Sequence, residues 1–163
     1  MLPALLRTTD EARMMHHLWS RGDYEISTDP ARQDVGLVHE FLTNSYWAKG
    51  IPLETVRLSI ENSVPFGVYH GLQQVGFARI VSDLATFAYL ADVFILPSHR
   101  GRGLSRWLVE CIMGHPDLQG LRRWMLATQG AHGLYAKFGF TAIRSPERWM
   151  EIHHPDVYSS TKE

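Results

Sequence analysis

The stretch Val-Phe-Ile-Leu-Pro-Ser-His-Arg-Gly-Arg-Gly-Leu-Ser, at positions 93–105, decides which fold and which ligand this chain predicts. An apolar run feeds a loop with two glycines, and the loop feeds a segment whose apolar residues recur at helical spacing. Gly101 and Gly103 let the backbone turn so that several N–H groups point into one concavity. The start of the following helix adds unpaired N–H groups and the positive end of its dipole. With the charges of Arg100 and Arg102, this strand–loop–helix unit predicts a cradle for phosphate groups.

The loop differs from two other glycine-rich phosphate sites. The Gly-x-x-x-x-Gly-Lys-Ser/Thr pattern of an ATP-binding loop is absent from it. Only two glycines are present and no βαβ unit begins there, which is unlike a dinucleotide-binding fold. Taken alone, these residues also fit a surface turn with solvated arginines.

The segments around the loop predict a sheet with helices on its faces. Upstream, the patterns indicate a strand, two helices and a meander of three strands near residues 24–27, 35–42, 52–60, 64–69, 75–81 and 87–96. Downstream, they indicate a helix, a strand, a helix and two strands near residues 104–112, 124–127, 131–138, 140–143 and 149–152. We therefore predict an α/β (α+β) fold with a mixed, mostly antiparallel twisted sheet of six or seven strands and flanking helices.

The chain length of 163 residues suits one domain with one core. Residues 1–22, with a short helix expected around 11–19, are predicted to be an N-terminal extension outside the main fold. Residues 23–155 are predicted to form the domain, and residues 156–163 a polar C-terminal tail.

Composition excludes several classes of protein. The net charge is −1, with 16 basic and 17 acidic residues, so we expect neither nucleic acid nor an anionic membrane as a partner. A single cysteine, Cys111, rules out an intrachain disulfide and fits a reducing compartment. No apolar run approaches the roughly 18 residues that a membrane-spanning helix needs. We predict a cytoplasmic protein.

The nine histidines do not form a metal-binding pattern. They occur at no His-x-x-x-His spacing, and there is no Cys-x-x-Cys. The pairs at 16–17 and 153–154 are adjacent, so the two rings of each pair point in different directions on a helix or strand. We predict no metal site.

A second segment, at positions 126–140, contains the element Tyr-x-x-x-Gly-Phe, which begins at Tyr135. Together the two segments resemble the GNAT acetyltransferase superfamily, whose donor motif is Arg/Gln-x-x-Gly-x-Gly/Ala after an apolar strand. Arg100, Gly103 and Ser105 match that motif, with a small serine where the family usually has Gly or Ala. The resemblance extends over about residues 24–153.

The resemblance implies that acetyl-CoA is the co-substrate, bound where two parallel strands splay apart. The backbone of Phe94, Ile95 and Leu96 would pair with the pantetheine arm like an added strand. The pyrophosphate would lie on the loop residues Arg100, Gly101, Arg102, Gly103, Leu104 and Ser105. An amide such as that of Ile95 would polarise the thioester carbonyl.

The resemblance also suggests two catalytic side chains. Tyr135 matches the family tyrosine near the thioester sulfur and would be the general acid, although an aromatic packing residue explains its position as well. Asp92 is the candidate for a general base that acts through water. The alternative for Asp92 is a structural carboxylate paired with an arginine such as Arg79. Arg79 could also bind a carboxylate of the substrate or simply pair with Asp83.

The predicted acceptor pocket consists of Tyr46, Trp47, Arg79 and Tyr89, with a small-molecule or peptide amine as the substrate. The aromatic loop at positions 46–47 would also serve as a surface clamp over a small core. The sequence identifies neither the amine nor the oligomeric state, and a homodimer stays open. Three alternatives remain: a different acyl-CoA donor, an acyl-CoA-binding sensor without turnover, and an unrelated interaction module.

Overall fold

The computed structural model describes residues 15–159 of the chain. Six strands form one sheet: β1 Leu18–Arg21, β2 Tyr24–Ser27, β3 Val64–His70, β4 Gln73–Ser82, β5 Phe87–Ile95 and β6 Arg123–Leu126. Four α-helices accompany them: α1 Val35–Thr43, α2 Leu53–Glu61, α3 Leu104–Met113 and α4 His132–Ala136. Short 3-10 turns lie at Pro30–Arg32, Pro97–His99, Pro116–Leu118 and Pro146–Arg148.

The strands follow one another across the sheet in chain order, from β1 to β6. The pairs from β1 to β5 are antiparallel, whereas β5 and β6 are parallel and are connected through α3. Short turns suffice for antiparallel neighbours, but a parallel pair requires a crossover. The predicted mixed, mostly antiparallel sheet is confirmed, and its single parallel pair is the one that the glycine-rich loop follows.

Helices cover both faces of the sheet, because strand side chains alternate in direction. The larger core packs α3 on one face, with Leu108 and Ile112 fully buried. On the other face α1 and α2 pack on Phe77 and Phe94. Asp34 caps α1, as expected for an N-cap residue, since its carboxylate accepts a hydrogen bond from the Leu37 N–H at 3.0 Å.

Three local predictions are wrong. Leu18–Arg21 is strand β1, paired with β2 through a tight turn, so the predicted helix around 11–19 fails in its last residues; residues 11–14 lie outside the described part. The predicted extension therefore supplies the first strand of the sheet. Residues 140–143 and 149–152 form no strand, because an alternating pattern makes a strand only where a partner lies alongside. Within residues 15–159 the sheet thus has six strands, which agrees with the predicted six or seven. Five of these strands were expected, and β1 was not.

The predicted tail also contacts the body of the protein. Tyr158 packs against the second core, and its backbone lies beside Gly50 between α1 and α2. No helix within residues 15–159 has both the length and the apolar character that a bilayer crossing requires.

Candidate active site

The glycine-rich loop has the backbone geometry of a phosphate cradle. Gly101 and Gly103 have φ angles of 77° and 75°, in the region that residues with a Cβ rarely adopt. α3 begins directly after Gly103, and no side chain from residues 15–159 caps its first N–H groups. Those N–H groups and the exposed side chain of Arg102 are therefore available to an anionic ligand.

Arg100 has a role that the sequence did not reveal. Its Nε donates a hydrogen bond to the carbonyl oxygen of Ile95 at 2.9 Å. The side chain thus fastens the loop to the end of β5. A motif arginine identifies a charge, but it does not tell which backbone group the charge will contact.

β5 and β6 separate beside this loop, as the resemblance implies. Their pairing ends at Leu90 and Leu126, whereas β5 continues to Ile95. The Leu96 N–H donates a hydrogen bond to the carbonyl oxygen of Val75 in β4 at 2.8 Å. Hydrogen-bonded and non-hydrogen-bonded residue pairs alternate along an antiparallel ladder, so the N–H and C=O of the preceding residue, Ile95, point away from β4. Of the three residues predicted to meet the pantetheine arm, Ile95 faces the opening, Phe94 lies in the pairing with β4, and the N–H of Leu96 is already bonded.

A cavity of about 510 Å³ lies where the two strands part. It brings together all six side chains predicted for catalysis and acceptor binding: Tyr46, Trp47, Arg79, Tyr89, Asp92 and Tyr135. These residues come from the loop after α1, from β4 and β5, and from α4, so only the folded chain makes them neighbours.

The carboxylate of Asp92 is bonded at both oxygens. Arg79 Nε donates to Oδ2 at 2.6 Å, and Trp47 Nε1 donates to Oδ1 at 3.0 Å. The side chains of Arg79 and Asp92 are 20% and 10% exposed, so the ion pair is largely shielded from water. Asp92 has φ 56° and lies in a bulge opposite the residue before Arg79, where two residues of β5 face one of β4.

The sequence offered Asp92 and Asp83 as ion-pair partners of Arg79, and the structure decides between them. It pairs with Asp92 rather than with Asp83, whose carboxylate accepts backbone N–H groups from residues 85–87. A hydrogen bond from the Thr86 hydroxyl, together with those from the backbone, holds the pKa of Asp83 far below its ordinary value. Asp83 is thus a turn residue, and it takes no part in the cavity.

Tyr135 is buried on α4 with 7% of its surface exposed. Burial, and to a smaller extent the nearby Tyr46, raises the pKa of the phenol, so it carries its proton at neutral pH. Within residues 15–159 the hydroxyl has no hydrogen-bond partner. Every fully buried side-chain oxygen in this range does have a partner, so the Tyr135 hydroxyl is not fully buried and reaches the cavity that Tyr135 lines. The Phe140 N–H donates to the Tyr135 carbonyl across Gly139, which has φ 91°. This contact explains the spacing of the Tyr-x-x-x-Gly-Phe element.

Outside the cavity, residues 15–159 contain one group of possible metal ligands. Ligand atoms of His17, His115 and Asp117 come within 4.8 Å of one another. His115 Nδ1, however, accepts the Asp117 N–H at 3.1 Å, so the neutral ring carries its proton on Nε2. Burial and the neighbouring His17 lower the pKa of His115, and its ring packs against Phe66. We interpret His115 as a buried packing residue and assign no metal to the group.

Comparison with known proteins identifies the family. The model of the acetyltransferase (GNAT) domain matches residues 61–142, half of the chain. A curated protein of Gibberella zeae, named "Putative acetyltransferase FG08082", is 34% identical over 142 residues, which cover 73% of this chain and 79% of the relative. The chain belongs to the GNAT acetyltransferase family.

Solved structures share the fold. A protein of Xanthomonas campestris pv. campestris assigned to the GNAT family is 52% identical, with a TM-score of 0.83 over 84% of this chain and 97% of its own. An acetyltransferase structure from Clostridium acetobutylicum containing acetyl-CoA has a TM-score of 0.58 at 16% identity, over 85% and 97% of the two chains. A Mycobacterium tuberculosis structure in complex with CoA has a TM-score of 0.57 at 21% identity, over 73% and 72%.

Proposed function

We propose that this acetyltransferase moves an acetyl group from acetyl-CoA to a primary amine by direct attack in a ternary complex. The observation that supports this most is the convergence of Tyr135, Asp92 and the opening between β5 and β6 on one cavity. Two structures of the same fold contain acetyl-CoA or CoA, which supports the coenzyme as the donor.

The donor would bind from the loop inward. N–H groups at the start of α3 and the side chain of Arg102 would hold the pyrophosphate, while Arg100 keeps the loop against β5. Ser105, in the first turn of α3, leaves room for close approach of a phosphate. The pantetheine arm would pair with the free side of β5, and the Ile95 N–H would donate to the thioester carbonyl.

In the reaction, the amine nitrogen forms a bond to the acetyl carbon and the carbon–sulfur bond breaks. An alkyl amine with a pKa near 10.4 is neutral in only about one molecule in 2,500 at pH 7, so it must first lose a proton. Asp92 would accept that proton through water. Tyr135 would donate a proton to the leaving thiolate, and the second proton, which the nitrogen loses as the amide forms, would pass through water and restore the phenol.

Asp92 can act as a base only if its carboxylate, which Arg79 and Trp47 already contact, can still accept a proton. Each carboxylate oxygen accepts one hydrogen bond and has capacity for another, so Asp92, which lines the cavity, remains able to accept a proton from water or to hold the substrate ammonium. The contact with Trp47 also ties the acceptor loop to β5. Asp92 would therefore both position the loop and accept the proton.

A covalent route through cysteine is disfavoured. Cys111 is buried in α3, outside the cavity, and burial raises the pKa of its thiol to about 12. At neutral pH it is a packed thiol rather than a nucleophile. This supports direct transfer between donor and amine.

A thiol-release assay with acetyl-CoA and a panel of small and peptide amines tests the proposal. We expect release that requires the amine, and a loss of acetyl-CoA affinity of at least about tenfold for Arg102→Glu, since an attraction to phosphate becomes a repulsion. Arg57→Glu on the outer side of α2 is the matched control and should bind normally.

Three outcomes distinguish the alternatives. Binding of acetyl-CoA without thiol release from any amine would favour a sensor domain. Faster turnover with propionyl- or succinyl-CoA would identify a different donor. Absence of binding to any acyl-CoA by folded protein would refute the proposal.

A further inference from the structure

The sheet has an open edge at β6. This strand is the last in the sheet and, within residues 15–159, it pairs only with β5. Its outer edge presents N–H and C=O groups that can pair with another segment. A cavity of about 390 Å³ runs along it, between β6 and residues 138–144. The walls are mostly apolar and include Met113, Trp124, Met125, Leu126, Phe140 and Ile143.

Arginines surround one end of this cavity. A second cavity of about 260 Å³ is lined by Arg123, Arg144, Ser145, Arg148 and Trp149. Arg123 and Arg144 line both cavities, which therefore adjoin. None of the three arginines forms an ion pair with a residue in the described range 15–159. We call the two cavities together the β6 groove; it is apolar along the strand and cationic at one end.

The chain carries a segment with the complementary properties. This segment is residues 149–152, Trp-Met-Glu-Ile, and it has the same length as β6. Met150 and Ile152 are 97% and 88% exposed, although burial of such large apolar side chains stabilises a protein. Glu151 forms no ion pair among the described residues.

The segment does not fill the groove of its own chain. Trp149 is held at the cationic end, where the Arg123 guanidinium lies 4.5 Å from its ring centre. From there Met150 and Ile152 point into solvent rather than into the apolar part. The groove and the segment thus match, but the connection through residues 144–149 keeps them apart within one molecule.

We propose that the β6 groove binds residues 149–152 of a second copy of this chain, in a two-fold symmetric exchange. In such a dimer the contact is made twice, because each copy offers one groove and one segment, and Trp149 of each copy moves from its own Arg123 to Arg123 of the partner subunit. The segment adds a strand to β6. Met150 and Ile152 share one side of it and enter the apolar part, while Glu151 points to the other side, toward the arginines.

Sedimentation of the full chain over a dilution series tests the dimer. We expect a dimer whose dissociation constant rises about 30-fold or more in Met150→Lys, as for the loss of a central anchor residue. Leu72→Lys is the matched control: Leu72 is 103% exposed in the β3–β4 turn, and its substitution should leave the mass unchanged. Because Met150 is almost fully exposed in one copy, its substitution should not unfold the protein, which circular dichroism will check.

Charge and location are tested separately. Glu151→Arg brings a cation among three arginines and should weaken the dimer about tenfold, whereas Glu151→Gln should have a smaller effect. Amide hydrogen exchange of Arg123–Leu126 should slow as the dimer forms. A protein that stays monomeric at every concentration would overturn the proposal and leave the groove to a foreign extended peptide. A dimer unaffected by both Met150→Lys and Glu151→Arg would overturn it as well. The measurements use mass and exchange, so they are independent of catalysis.

Discussion

Replacing Tyr135 by phenylalanine removes one hydroxyl group from the cavity and little else. Within residues 15–159 the hydroxyl has no hydrogen-bond partner, so the substitution breaks no contact of the fold. We expect the free energy of unfolding to change by less than about 1 kcal/mol. Any larger effect on turnover then reports on the reaction.

The size of that effect follows from the leaving group. General acid catalysis typically contributes about 10²–10⁴-fold to a rate. A coenzyme thiol with a pKa near 8.5 is already a fair leaving group, so we expect a contribution at the low end, about 10–100-fold. Because the pKa of Tyr135 is raised by burial, the phenol stays protonated between pH 7 and pH 9, and this contribution should be the same over that whole range.

The assay is initial-rate thiol release between pH 7 and pH 9, at saturating acetyl-CoA and amine. We expect the ratio of wild-type to Tyr135→Phe turnover to be about 10–100 and to stay constant from pH 7 to pH 9. Tyr89→Phe, which loses a phenol on the acceptor side of the same cavity, is the control and should alter KM for the amine without this loss of turnover. A Phe variant with full turnover at pH 7, or a ratio that falls toward one between pH 7 and pH 9, would contradict the general-acid role.

Three further predictions concern the loop, the ion pair and the core. Gly103→Ala forces a Cβ onto φ 75°, at a cost of about 1–2 kcal/mol, and should weaken acetyl-CoA binding in calorimetry, whereas Gly133→Ala, inside α4 with open space around it, should not. Asp92→Asn leaves the Arg79 guanidinium unpaired, so chemical denaturation should show that the free energy of unfolding falls by about 2–4 kcal/mol. If Asp92 is the base, the same substitution should flatten the acid limb of the pH–rate profile. A retained limb would leave Asp92 a positioning role only. Leu108→Ala in the fully buried core should cost about 3–4 kcal/mol of unfolding free energy with unchanged KM, and a loss below about 1 kcal/mol would contradict the packing.

The sequence predicted most reliably what depends on near neighbours in the chain. The loop at Gly101 and Gly103 requires glycine for its backbone angles, and such a requirement is visible in the residues themselves. The spacing from Tyr135 to Phe140 likewise corresponds to one backbone contact across the end of α4. A resemblance built on these short segments was therefore enough to predict the fold and the six residues of the cavity.

Where the sequence failed, the missing information was a partner from another part of the chain. Leu18–Arg21 is a strand because β2 lies beside it, whereas residues 149–152 have no strand alongside them among residues 15–159. For the same reason the sequence could only offer Arg79 as one of several partners of Asp92, and it gave no sign of the contact with Trp47.

By itself, then, the sequence determined the turn that can cradle a phosphate, the helix starts and the order of the elements, because these follow from backbone preferences within a few residues. Only the tertiary structure decided which groups meet: the Asp92 carboxylate between Arg79 and Trp47, the Tyr135 hydroxyl at the cavity, and the open edge of β6. Such encounters depend on how the whole sheet twists and packs, which no local pattern records.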